Sequence, residues 1–181
     1  GCEVSFCVGF NGGSSTFFVR VTDAKPALPY GTEAVYVTFE DFFVHREGGE
    51  WFSLPLAQMP YAVDLLEFHS GRTTALVQPV SLEPGTYDRI RVTISSAAVL
   101  SDGTFYSVAI PSGNLLIEID FFFDLEDGRT LDLTIDFDLS QSLTIFQTPV
   151  ASSYQLKPVL HINQTETAAT IHGEISAETF A

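Results

Sequence analysis

Six carboxylates in two neighbouring stretches have the spacing that most invites chemistry: Glu118, Asp120 and Asp124, then Asp132, Asp136 and Asp138. Each set alternates with apolar residues. Ile117, Ile119, Phe121, Phe123 and Leu125 share one face of the first stretch, and Leu131, Leu133, Ile135, Phe137 and Leu139 share one face of the second. This is the period of extended chain, so residues 115–125 and 130–139 read as two strands. A three-residue turn over 127–129 would join them as a hairpin. Both apolar sets must then face one core, because a one-residue slip turns a whole set to water. That requirement sets Phe123 opposite Leu133 and Phe121 opposite Ile135. On the other face Asp124 meets Asp132, Asp120 meets Asp136, and Glu118 meets Asp138. Directly opposed Cβ atoms lie about 5 Å apart, and like charges there destabilise the pair. The face is therefore expected to have a compensating partner.

Three compensations fit. Arg89 and Arg91 alternate outward on another strand and, with Lys157, would neutralise part of the face. Calcium is the second, since clustered hard oxygens suit it; against it, strand carboxylates lack the backbone carbonyls and loop curvature that usually complete its shell. The third is solvation at moderate ionic strength. The spacing of Asp120 and Asp136 would mimic a retaining glycosidase pair. That chemistry also needs a cleft and one carboxyl with a raised pKa, and a strand face offers no obvious cleft.

Phe122 falls on the acidic face between Asp120 and Asp124. An aromatic bordered by carboxylates suits sugar stacking or contact with another domain, unless a loop covers it. Elsewhere the chemistry is sparse. His45, His69, His161 and His172 show no ligand spacing. There is no Gly-x-Ser-x-Gly elbow and no glycine-rich phosphate loop. The chain is therefore expected not to be an enzyme and to need no cofactor other than, at most, calcium.

Twenty-three acidic against 8 basic residues give a net charge of −15. Such a surface repels phosphate backbones and anionic lipid headgroups, which argues against nucleic-acid and direct membrane binding. No run of 18 apolar residues exists to span a bilayer as a helix. Cys2 and Cys7 precede the first strand and match no zinc spacing. Gly1-Cys2, followed by a Gly/Ser/Asn-rich stretch, reads as a lipoprotein junction with a tether. Lipidation at Cys2, and an extracytoplasmic, envelope-anchored or secreted location, are the expectations. The competing reading is a tag remnant with unpaired or bridged cysteines.

The elements that must position these residues are short strands, with 61–68 and 73–77 read as short strands or turns. Residues 15–22, 34–46, 51–54, 61–68, 73–77, 86–95, 97–100, 105–109, 115–125, 130–139, 143–146 and 154–162 alternate or are rich in Val, Ile, Thr and Phe. Gly48-Gly49 and Asp102-Gly103 read as tight hairpin turns. The alternation breaks at Asp41-Phe42-Phe43, where a bulge would let both aromatics find cover. Pro158 argues for an edge position or a bulge. No long stretch keeps a helical period. The fold expected is all-β, a two-layer antiparallel β-sandwich of immunoglobulin-like or transthyretin (prealbumin)-like type. Its domain spans 15–162, after a tether at 1–14. Residues 163–181 read as a polar linker with one more short strand at 171–175, which would join the sandwich or open a second domain.

The order of motifs resembles a known family. The pieces are Val19-Arg20-Val21-Thr22-Asp23-Ala24, Val35 to Phe39 leading to Val44-His45, and Trp51 after the Gly-Gly turn. Val63-Asp64-Leu65-Leu66, Leu82 to Arg91 with Pro84-Gly85, and Asp102-Gly103 follow. Ile135-Asp136-Phe137-Asp138 with Ser142, and Leu156-Lys157-Pro158-Val159, close the series. Over 17–162 this resembles the bacterial and archaeal lipoprotein domain called domain of unknown function 4382. Phe121-Phe122-Phe123 is more aromatic than that pattern. The resemblance implies an extracytoplasmic β-sandwich and carries no catalytic residues. The leading expectation is a non-catalytic structural or interaction module of a cell-envelope lipoprotein, its partner an unknown protein or glycan. A carbohydrate-binding module using exposed aromatics and a calcium-dependent adhesion domain using the acidic face are the alternatives.

Overall fold

A computed structural model describes residues 13–23, 27–68 and 71–165. Among the described residues there are twelve strands: β1 (Ser15–Thr22), β2 (Thr32–Arg46), β3 (Trp51–Leu54), β4 (Tyr61–Asp64), β5 (Thr74–Leu82), β6 (Gly85–Ser101), β7 (Thr104–Ala109), β8 (Leu116–Leu125), β9 (Thr130–Phe137), β10 (Leu143–Gln147), β11 (Ser152–Leu156) and β12 (Leu160–Gln164). One short helix, α1 (Leu139–Ser142), follows β9. The strands form two sheets. The small sheet runs β12-β9-β1-β5, and the large one runs β10-β11-β7-β6-β2-β3, with β4 also on β2 and β8 also on β6.

The fold is a β-sandwich, as expected, but its sheets are mixed. The β1–β9 and β7–β11 ladders are parallel, whereas the sequence reading had every ladder antiparallel. Period-two burial builds the core between the layers. Phe17, Val19 and Val21 of β1 and Leu131, Leu133, Ile135 and Phe137 of β9 face Val35, Val37, Phe39, Phe42 and Val44 of β2 and Ile90, Val92 and Ile94 of β6 in one buried cluster. In β2 the buried parity flips between Phe39 and Phe42. Register shifts on either side of Phe39 insert the extra residue that allows the flip. The bulge thus lies just before the expected place. It sends Phe42 into the core and leaves Phe43 half-buried on the outer face.

Two turns behave as their residues require. Asp102 and Gly103 adopt φ of 48° and 74°, the left-handed pair of a two-residue hairpin joining β6 to β7. Gly48, at φ 69°, sits in the β2–β3 turn. Residues 86–95 and 97–100 are one strand rather than two, because β6 runs unbroken along β2. Residues 154–162 divide at Pro158 instead of forming one edge strand. β11 stays in the large sheet and β12 crosses to the small one, since a proline N cannot donate to a ladder.

The hairpin expected between 115–125 and 130–139 does not form. β8 pairs with β6 in the large sheet, and β9 pairs with β1 and β12 in the small sheet. The Glu126–Arg129 turn arches from one layer to the other. Each strand still turns its apolar parity to the core, so alternation alone is satisfied by either arrangement. Charge distinguishes them: the hairpin stacks three carboxylate pairs, and the arch does not.

Candidate functional site

The arch dissolves the inferred carboxylate ladder. On β8, Glu118 lies opposite Arg91, Asp120 opposite Arg89, and Asp124 opposite Thr86. On β9, Asp132 lies opposite Phe18 of β1, while Asp136 lies between Thr22 and His161. Asp138 leads into α1, where its carboxylate accepts from the Gln141 N–H at 3.2 Å. The six proposed calcium ligands are thus split between two sheets. Among the described residues no group of three or more His, Cys, Asp or Glu side chains is arranged to hold a metal.

Their compensation is intramolecular where contacts are resolved. Arg89 Nη1 donates to Glu118 Oε1 at 3.1 Å, and Arg91 Nη2 to Glu118 Oε2 at 3.3 Å. Burial pushes the Glu118 carboxyl up, but the Arg91 and then the Arg89 guanidinium outweigh it and hold it below the usual carboxylate range. Thr86 donates to Asp124 at 2.7 Å. Arg20 Nε donates to the buried Asp132 at 3.0 Å. Arg20 is a partner that sequence reading missed, since it lies 112 residues away. Lys157 takes no ion-pair contact with the six among the described residues.

The outer face of the large sheet carries the densest polar cluster. Cross-strand register sets Trp51, His45, Arg89 and Asp120 in one row over β3, β2, β6 and β8. The adjacent row holds Ser53, Phe43, Arg91 and Glu118. His45 Nδ1 is 2.5 Å from Asp88 Oδ1, which with an ionised Asp88 places the ring proton on Nδ1. That hydrogen bond holds the Asp88 carboxyl below its ordinary range. The Trp51 ring takes the Arg91 guanidinium at 4.0 Å and the Arg89 guanidinium at 5.3 Å, a cation–π arrangement. Outward parity of Trp51, His45, Arg89 and Arg91 was the only sequence signal for this cluster; strand order, which groups them, is not written in parity. The cluster pairs Asp88 with His45 and Arg89, and Glu118 with Arg89 and Arg91, and among the described residues the contacts of His45 include no hydroxyl or thiol nucleophile.

Phe122 is the exposed aromatic of this region, at 68%. No loop among the described residues covers it, and Asp120 and Asp124 flank it on the outward side of β8. A separate buried group is Asp23, at the end of β1. One carboxylate oxygen accepts from the Leu139 N–H at 3.3 Å, and the other has no partner among the described residues. Burial, reinforced by Asp136 and Asp138, pushes its pKa up to about 7. Its sequence context marked only the end of a strand. An open groove of about 410 Å³ lies beside Glu40, Asp41, Met59 and Pro60.

Cys2, Cys7, His69, His172, residues 1–12 of the tether expected at 1–14, and the strand expected at 171–175 lie outside the described residues. The family model described as Domain of unknown function (DUF4382) matches residues 14–158. No curated protein and no solved structure matches the chain.

Proposed function

The chain belongs to that family, and on this premise we propose a non-catalytic interaction module, displayed outside the cytoplasm, with β8 as its contact strand. The observation that carries the reading is Phe122, exposed on a strand whose other aromatics, Phe121 and Phe123, pack inward. An exposed ring between two carboxylates combines an apolar face with directed acceptors, which suits recognition. A photoreactive residue in place of Phe122 tests it in intact cells. Adducts are expected there and not from the same residue at Asn163, on the outer edge strand of the small sheet. Equal labelling at both positions, or none at either, removes the assignment.

Phe122 also favours a second reading, a carbohydrate-binding module. A sugar would stack on the ring while Asp120 and Asp124 accept from its hydroxyls. A glycan array then gives signals that Phe122→Ala abolishes; an empty array removes this reading. The calcium-dependent alternative is not carried forward, because the face it needed is divided between the sheets. Lipid anchorage at Cys2 belongs to the main proposal and is supported by the Gly1-Cys2 sequence. Incorporation of labelled palmitate that persists in Cys2→Ala would remove it.

A further inference from the structure

β8 has a ladder on one side only. It runs along β6, and among the described residues no other backbone hydrogen bond involves Leu116–Leu125. The alternation of an antiparallel ladder identifies the amides left over. Ile94 N–H donates to the Leu115 carbonyl at 2.8 Å, so these two form a hydrogen-bonded pair. In the same register Thr93–Leu116 is a non-bonded pair, Val92–Ile117 bonded, Arg91–Glu118 non-bonded, Ile90–Ile119 bonded and Arg89–Asp120 non-bonded. The N–H and C=O groups of Leu116, Glu118 and Asp120 therefore point to the open edge. A register shift between Tyr87 and Arg89 ends this regular stretch just past Asp120.

Open edges are usually blunted by lysine, proline or an inward-pointing charge. Leu116–Leu125 has no lysine or proline, and its acidic residues all point outward. Its inward residues Ile117, Ile119 and Phe121 are only half-buried, so the second layer leaves apolar surface beside the free amides. The outward side is acidic around Phe122: Glu118 is bridged by Arg89 and Arg91, while Asp120 and Asp124, on either side of the ring, take no ion pair among the described residues. A second copy of β8 laid alongside would bring two acidic rows together, which is unfavourable. A basic row would be attracted, and an ammonium group would also find the Phe122 ring.

We propose that the open edge of β8 accepts a β-strand from a partner protein, with alternate residues apolar toward the sandwich and basic toward solvent. Main-chain bonds to Leu116, Glu118 and Asp120 give affinity, and the two faces of β8 select the side chains. The inference rests on the reading of β8 as the contact strand. The two fail separately: loss of photoadducts at position 122 removes the face, whereas the peptide results below remove strand pairing alone.

The probe is a fluorescein-labelled peptide of about nine residues, alternating valine and lysine, titrated into the full chain and read by anisotropy. It should bind at least about tenfold tighter than a valine–glutamate peptide or one with the same residues in two blocks. N-methylation of one alternate set of its amides should weaken binding about tenfold, and of the other set should not, since only one set meets the edge. Asp120→Pro removes an edge donor without touching the β6 ladder and should weaken binding similarly, with Asp120→Asn as the charge control. If Asp120→Pro fails to fold, the two methylated peptides decide. Equal binding of both methylated sets overturns strand pairing. So does free protein in which the Glu118 and Asp120 amides exchange as slowly as those of Ile117 and Ile119. Dimerisation abolished by Asp120→Pro would also overturn it, by giving the edge to a second copy.

Discussion

Replacing Asp23 with asparagine should change how stability depends on pH more than it changes the fold. Asp23 is 2% exposed, with one carboxylate oxygen on the Leu139 N–H and the other without a partner among the described residues. Its pKa is about 7 in the folded chain against an ordinary 3.8. The folded state therefore holds a proton that the unfolded state releases between these values. Stability from this group is fully present below about 3.8 and is lost as pH rises through about 7. The difference between these two pKa values corresponds to roughly 4 kcal/mol in all, of which about 2–3 kcal/mol is lost between pH 5 and pH 8. Asparagine keeps the acceptor for Leu139, cannot ionise, and removes repulsion with Asp136 and Asp138. Urea unfolding of both proteins at the two pH values measures the difference. The advantage of Asp23→Asn over wild type should grow by about 2–3 kcal/mol from pH 5 to pH 8. Contributions from Asp88 and Glu118, whose carboxyls are held low and which stabilise the fold above their unfolded pKa, are common to both proteins and cancel. A gap of equal size at both pH values would refute the reasoning, because Asp23 would then be ionised throughout.

Leu133→Ala should cost about 2–5 kcal/mol in the same assay, because Leu133 is fully buried where β9 meets the opposite layer; a loss below about 1 kcal/mol would mean that β9 is not a central core strand. Calcium at about 1 mM should leave the melting temperature unchanged, since a ligand specific to the folded state must raise it. A clear rise that Asp132→Asn abolishes would place metal on β9 after all.

Much of the candidate site was legible residue by residue. The outward parity of Glu118, Asp120, Phe122 and Asp124, and of Arg89 and Arg91, follows from alternation with buried neighbours. That Arg89 and Arg91 meet Glu118 was one of the compensations the sequence allowed, and the β6–β8 ladder realises it. The error lay in the choice of neighbour. A short turn between two alternating strands suggests a hairpin, and alternation does not distinguish it from an arch; the three opposed carboxylate pairs were the local signal against the hairpin.

The amino-acid order by itself determined which side chains of each strand face inward, where Asp102-Gly103 and Gly48 turn the chain, and that the whole is a sandwich. Those properties depend on torsions and spacing within a few residues. Only the tertiary structure decided that β8 and β9 occupy opposite sheets, that Arg20 reaches Asp132, and that Trp51, His45 and Arg89 share a row. Among the described residues it also left one side of β8 open and one oxygen of Asp23 without a partner. Side-chain direction along a strand repeats every two residues whatever lies beside it, whereas the strand beside it is chosen by packing and charge across the entire chain.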